Sequence, residues 1–90
     1  MGKEMFFDML GEYDNFKVIF YNGLEILSMF DMSIENVEEY DDEIIIRGVG
    51  NSFVILTGEP DIITNDDLEK EFIFNEEEVR IGIIFNRGIN

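Results

Sequence analysis

A chain of 90 residues, 46% of them hydrophobic, is long enough for one folded domain and too short for two separate cores. Its 21 acidic side chains against six basic ones give a formal net charge of −15, which excludes a protein that binds the phosphate backbone of nucleic acids. The chain contains neither Cys nor His, so disulfides, thiolate or imidazole catalysis, and zinc, haem or iron–sulfur sites are excluded as well.

The N-terminal segment resembles neither a membrane span nor a signal peptide. No stretch of the chain approaches the roughly 18 consecutive apolar residues that a membrane span needs. Asp8 interrupts the apolar residues near the N-terminus, where a signal peptide would need an unbroken apolar core. We therefore expect a cytoplasmic protein with no membrane partner.

The first dozen residues have the spacing of a short helix. Phe6 and Leu10, like Met5 and Met9, are four positions apart, so each pair lies on one face of a helix. Gly11 is suited to end it. The pattern predicts a helix of one to two turns before the β-structure begins.

A β-hairpin is predicted next. Residues 16–21 alternate with the period of two that is typical of strands, and Asn22-Gly23 favours a type I′ turn with positive φ at both central positions. The strand after the turn is expected to be long and bulged. One face of it carries Leu24, Ile26, Ser28, Phe30, Met32 and Ile34, whereas Glu25, Asp31 and Glu35 point the other way.

A second hairpin is predicted after a charged connection over residues 36–43. Its strands are residues 44–47 and 53–57, and the five-residue loop between them contains Gly48 and Gly50. The two glycines do not indicate a phosphate-binding loop, because no helix follows that could offer its N-terminus to a phosphate.

The rest of the chain predicts a turn at residues 58–61, a short edge strand at Ile62 and Ile63, and a third hairpin from residues 71–75 and 79–85. The expected fold is all-β: a small antiparallel meander barrel or sandwich of five to seven strands with a short N-terminal helix. The residues expected in its core are Phe16, Val18, Phe20, Ile26, Phe30, Ile44, Ile46, Phe53, Ile55, Phe72, Phe74, Ile81, Ile83 and Phe85.

The acidic residues are concentrated in two segments. Residues 31–46 contain seven acids and no base, and residues 59–78 contain nine acids and one base, Lys70. The solubility of a small domain is served by a net charge of about 2 to 8 in magnitude, so the excess has two interpretations: a solvated surface, or a contact surface for a cationic partner. The candidate partner-binding residues are Glu35, Glu38, Glu39, Asp41, Asp42, Glu43, Glu59, Asp61, Asp66, Asp67, Glu69, Glu76, Glu77 and Glu78.

A third interpretation assigns the acids to a metal site or to catalysis. Neither residues 41–43 nor residues 65–69 have the ligand spacing of an EF-hand calcium loop. Paired catalytic carboxylates need a cleft, for which this chain has little room, and neither Thr57 nor any serine has a neighbouring base in a recognisable arrangement. We therefore expect no enzyme, no metal and no cofactor.

One functional hypothesis is a decoy for nucleic acid. Side chains on one face of a strand recur about every 6.6 Å, so carboxylates on strands and turns can imitate part of a phosphate track and enter a Lys- and Arg-lined groove. The expected partner is a basic protein surface, such as that of a nuclease or another nucleic-acid-binding enzyme. In size, charge and lack of catalytic residues the chain is similar to phage-encoded anti-CRISPR and anti-restriction proteins. If the charge serves only solvation, we expect contact through the exposed apolar residues Tyr13, Tyr21, Leu27, Met29 and Tyr40.

A second hypothesis is a structural or assembly module. The acidic run from Ile34 to Ile46, followed by Phe53 to Gly58 and by Glu71 to Phe74, resembles the YabP/YqfC-like sporulation proteins, in which a short acidic turn precedes strands separated by glycines. The resemblance implies a small β-rich protein that takes part in spore envelope assembly through protein contacts, including self-association, with no catalytic residues.

Overall fold

The computed structural model describes residues 2–64 and 69–86, and within them one helix precedes seven antiparallel strands. The strands form a single sheet in the order β4-β3-β2-β1-β7-β6-β5, which confirms the all-β prediction. No helix in these residues is long and apolar enough to cross a bilayer. The elements are α1 (Gly2–Glu12), β1 (Asn15–Asn22), β2 (Glu25–Glu39), β3 (Glu43–Gly48), β4 (Phe53–Thr57), β5 (Asp61–Thr64), β6 (Lys70–Asn75) and β7 (Arg80–Asn86).

The sheet is rolled, although it is not closed into a barrel. Laid flat, seven strands spaced about 4.8 Å apart would separate the edge strands β4 and β5 by about 29 Å. Residues 58–60 alone link those two strands, and such a link spans at most about 14 Å. The two edges therefore approach each other where β4 ends and β5 begins, but no pairing joins them.

Strand β2 joins the two halves of the roll. Its residues up to Ser33 pair with β1, and its residues from Ile34 to Glu39 pair with β3, with an irregular register between Ile34 and Asn36. The predicted charged connection over residues 36–43 is therefore wrong in its first part, which is strand. Strand β2 is exposed over most of its length, with Met32 as its one buried residue and Phe30, Ile34 and Glu38 partly buried.

The first hairpin differs from its prediction in turn and register. Asn22 pairs with Glu25, so the turn consists of Gly23 and Leu24, and only Gly23 has positive φ, at 64°, as in a type II′ turn. The predicted type I′ turn is wrong. Phe20 then pairs with Ser28 and Tyr21 with Ile26, which leaves Leu27 as an extra residue in a bulge.

The bulge at Leu27 reverses the face on which the preceding residues lie. Because side chains alternate between faces, one extra residue moves Ile26 from the core side to the outside, where it is half exposed. The prediction of Ile26 as a core residue is therefore wrong. Leu27 and Met29 are about half exposed, as expected, whereas Tyr13 and Tyr21 are only partly exposed.

The core fills the inside of the roll, and α1 closes one side of it. Phe6 is fully buried, with its ring centroid 5.3 Å from that of Phe72, 5.0 Å from Phe74 and 5.5 Å from Phe85. The helix has three turns, more than predicted, and continues one residue past Gly11. Phe16, Val18, Ile44, Ile46, Ile81 and Ile83 are also buried as predicted, and Phe20 and Phe30 pack against the core from partly buried positions.

Strand β4 is inverted relative to its prediction. Phe53 and Ile55 are 56% and 40% exposed, whereas Val54 and Leu56 are buried. Pairing with β3 sets this register, because Arg47 pairs with Phe53 and therefore shares its face. The prediction of Phe53 and Ile55 as core residues is wrong.

Candidate functional site

The turn between β2 and β3 is acidic and exposed. A backbone hydrogen bond of 2.8 Å from the Tyr40 N–H to the Glu43 carbonyl closes it. The surrounding side chains line an open depression on the surface together with Thr57, which pairs with Glu43 across the β3–β4 ladder. The acidic residues that line this depression are Glu39, Asp41, Asp42 and Glu43.

Thr57 also binds the turn between β6 and β7. Its backbone N–H donates to Glu76 Oε2 at 3.2 Å, and its hydroxyl lies 2.9 Å from both carboxylate oxygens of Glu76. The Glu76 N–H in turn donates to the Val79 carbonyl at 3.0 Å and closes the β6–β7 turn. One residue of β4 thus fixes a second acidic turn beside the first.

The link between β4 and β5 completes the same region. The Gly58 N–H donates to the Asp42 carbonyl at 3.3 Å, and Gly58 has φ of 77°, a conformation that favours glycine. Three turns that are far apart in the sequence therefore meet around Thr57. We name this region, residues 39–43, 57–59 and 76–78, the acidic corner; it contains eight carboxylates and no basic residue.

The acidic corner is suited to attract cations from solution and not to hold one ion in a cage. Seven of its eight carboxylates are on exposed residues, and the eighth, on Glu76, is engaged by Thr57. In the part of the chain that the structure describes, no group of three acidic residues could hold a metal ion. The Thr57 hydroxyl serves as a hydrogen-bond donor that links two turns.

Four of the predicted partner-binding residues that the structure describes lie outside the corner. Glu38 forms an ion pair of 3.5 Å with Arg47, and Glu35 lies beside the β3–β4 loop. Asp61 accepts a hydrogen bond of 3.1 Å from Asn75. Glu69 is exposed just before β6 begins, and Asp66 and Asp67 lie outside the described residues. The corner therefore gathers only part of each acidic segment.

The sequence did not reveal the role of Thr57. Its hairpin position opposite Glu43 could have been derived from the predicted strands, because loop length sets the register. Its contact with Glu76 joins residues that are 19 positions apart and belong to different hairpins. Local sequence patterns do not predict such a contact.

A separate polar cluster covers the outer face of β1, β7 and β6. The Tyr21 hydroxyl donates to the Glu71 carboxylate, and the Arg80 guanidinium lies 5.7 Å from the centre of the Tyr21 ring and donates to the Gly23 carbonyl at 2.7 Å. Burial, and then the hydrogen bond to Glu71 and its negative charge, raise the pKa of Tyr21 to about 12, with Arg80 opposing the rise. The Glu71 carboxylate therefore makes an intramolecular hydrogen bond.

No family model, no curated protein and no solved structure matches this chain. The resemblance to the sporulation family and the similarity to phage counter-defence proteins therefore stay predictions. Any functional assignment has to be built on the geometry of the chain itself.

Proposed function

We propose that the chain is a non-catalytic binding protein whose acidic corner engages a cationic protein surface. The partner is a nucleic-acid-binding enzyme such as a nuclease, and the chain inhibits it by occupying the groove that would hold nucleic acid. The observation that supports this proposal is the meeting of three sequence-distant acidic turns around Thr57. We assign the complex to the cytoplasm, where enzymes of this kind meet their substrates.

The carboxylates of the corner favour such a complex by acting together. A single exposed ion pair contributes only about 0.2 to 1 kcal/mol, so no one carboxylate decides the affinity. Eight carboxylates in one region attract a basic groove over a distance of about a Debye length and speed the encounter. The affinity should therefore fall steeply as the salt concentration rises.

The hydrogen bonds around Thr57 favour the complex as well. Glu76 is held by two groups of Thr57, and the β4–β5 link is held by the Asp42 carbonyl. A surface whose turns are already fixed loses less conformational entropy on binding than a flexible acidic tail of the same charge. This supports the corner as a contact surface.

The first experiment identifies the partner. The immobilised chain is incubated with host lysate from which nucleic acids have been digested, and bound proteins are eluted with increasing salt. We expect a DNA- or RNA-binding enzyme that elutes with salt and whose binding is displaced by duplex DNA. Recovery of envelope proteins, or of the chain itself, would contradict this and would favour the assembly module that the sporulation resemblance implies.

The second experiment compares two triple variants of equal charge with the recovered partner. Asp41→Asn, Asp42→Asn and Glu43→Gln neutralise three of the eight carboxylates of the corner, whereas Glu4→Gln, Asp8→Asn and Glu12→Gln neutralise three exposed residues of α1. Each set changes the net charge from −15 to −12. We expect the corner set to weaken binding about tenfold, which is about 1.4 kcal/mol, and to reduce its salt dependence. Equal weakening by both sets would show that only net charge matters.

A further inference from the structure

The first half of β2 is an open edge of the sheet. Residues up to Ser33 pair with β1 on one side only, because the pairing of β2 with β3 begins at Ile34 opposite Gly48. Within residues 2–64 and 69–86, no strand pairs with the other side of residues 25–30. Such an edge presents backbone donors and acceptors that another strand can use.

The direction of these backbone groups follows from the ladder. The Ile34 N–H donates to the Asp14 carbonyl at 2.8 Å, on the side of β1. Along a regular antiparallel strand the hydrogen-bonding direction alternates, so Met32 and Phe30 also bond towards β1. Met29, the residue before Phe30, belongs to the alternate positions and therefore turns its N–H and carbonyl away from β1 and towards the open edge.

The side chains of this edge are unusual for so acidic a molecule. Residues 26–30 carry no charge, and Ile26, Leu27 and Met29 are each about half exposed. The adjoining turn residue Leu24 is fully exposed. Glu25 and Asp31 place a negative charge at each end of the apolar stretch. Natural edge strands are commonly protected by charges or proline, and this one has neither over five residues.

We propose that residues 25–30 of β2 accept an extended segment of another protein as an additional strand. The segment has a short apolar stretch with Lys or Arg on both sides, because the apolar residues meet Ile26, Leu27 and Met29 while the cations meet Glu25 and Asp31. A second copy of the chain is the poorer occupant. Each copy carries −15, and antiparallel self-pairing would bring Glu25 of one copy towards Asp31 of the other. This surface is separate from the acidic corner and does not depend on its function.

The test uses two synthetic peptides of alternating valine and threonine, one with two lysines at each end and one with two glutamates at each end. Each is added to the full chain at up to millimolar concentration, and amide hydrogen exchange is followed by NMR. We expect the lysine-flanked peptide to slow the exchange of the Met29 amide at least several-fold. We expect no such protection from the glutamate-flanked peptide.

Two variants separate strand addition from unspecific attraction. Met29→Pro removes the outward N–H and should abolish peptide binding, whereas Met29→Ala keeps the N–H and should retain it. Leu27→Lys alters only an exposed side chain, so it should fold even where the proline variant does not, and it should repel the lysine-flanked peptide.

Three results would overturn the proposal. The first is absence of protection at Met29 with the lysine-flanked peptide, and the second is equal protection by the glutamate-flanked peptide. The third is a dimer of the free chain, seen by sedimentation equilibrium, that Leu27→Lys dissociates, because a second copy would then occupy the edge. None of these results bears on whether the acidic corner binds its own partner.

Discussion

Phenylalanine has opposite roles in the two halves of the rolled sheet. In the β6–β7 half, Phe72 and Phe74 are fully buried around Phe6 of α1, whereas in the β3–β4 half Phe53 is mostly exposed. The outer faces differ as well, because Tyr21 covers the β6–β7 half at Gly82, and Phe53 and Ile55 lie uncovered on the other half. In the β3–β4 half, these apolar residues of the outer face therefore remain in contact with solvent.

The helix contact is the strongest test of this difference. Phe6→Ala removes a fully buried ring that touches three phenylalanine rings of β6 and β7, and we expect it to lower the free energy of unfolding by about 3 to 5 kcal/mol. Urea denaturation followed by circular dichroism measures the change. Met5→Ala, at a partly exposed position of the same helix, serves as the control and should cost less than about 1 kcal/mol. Similar losses for the two variants would contradict burial by α1.

The close contact at Gly82 tests the outer face of the same half. A Cβ atom at this position would lie 2.9 Å from Tyr21 Cε2 and closer still to the Glu71 carboxylate, so Gly82→Ala should destabilise the fold by about 1 to 3 kcal/mol. Gly11→Ala is the matched control, because no atom lies within 4 Å of a Cβ there and alanine favours a helix. Thermal unfolding should show opposite shifts in Tm for the two variants. A neutral Gly82→Ala would mean that Tyr21 does not lie over this strand.

The raised pKa of Tyr21 makes the stability of the fold depend on pH. The neutral phenol is favoured in the folded state. Its contribution to the free energy of unfolding is therefore complete below the ordinary pKa of 10.0 and is lost as the pH rises towards about 12. We expect a loss of about 1 kcal/mol over this interval, less than the shift alone would give, because solvent reaches the phenol and screens its surroundings. Unfolding free energies at pH 9 to 12 measure it, with Tyr21→Phe as the comparison. An equal loss in that variant would assign the effect to other groups.

The exposed half should show the smallest effect. Phe53→Ala removes a ring that is 56% exposed, so we expect it to change the free energy of unfolding by less than about 1 kcal/mol. Val54→Ala, one residue further along β4, removes buried methyl groups and should cost more, about 1 to 3 kcal/mol. Urea denaturation measures both losses. A larger loss for Phe53→Ala than for Val54→Ala would contradict the observed orientation of β4 and would favour the sequence-based prediction that Phe53 faces the core.

The same two halves show where sequence reasoning succeeds. Phe72, Phe74, Ile81 and Ile83 were predicted correctly because one face of each strand is apolar and the hairpin length is clear. Strand β4 has apolar residues on both faces, so its own pattern could not set its orientation. The pairing of Arg47 with Phe53 across the five-residue loop settles it, and that rule was available from the sequence.

The candidate site was only partly predictable. Local charge density identified the acidic turns, because exposed carboxylates cluster in loops. Their meeting at Thr57 depends on the roll of the sheet, which follows from the short link between β4 and β5 and from the change of partner along β2. A bulged strand was predicted after the first turn, but the alternation of residues did not place the bulge at Leu27, where it turns Ile26 outward.

The central functional claim is that three acidic turns form one surface. A hexalysine peptide added to the isotopically labelled chain tests it directly, with chemical shifts followed by NMR at low and high salt. We predict that amides of residues 40–43, 57–59 and 76–78 shift together and reach saturation at the same peptide concentration, while those beside Glu4, Asp8 and Glu12 of α1 shift little. Shifts of equal size beside all exposed carboxylates, or separate saturation of the three turns, would contradict the claim.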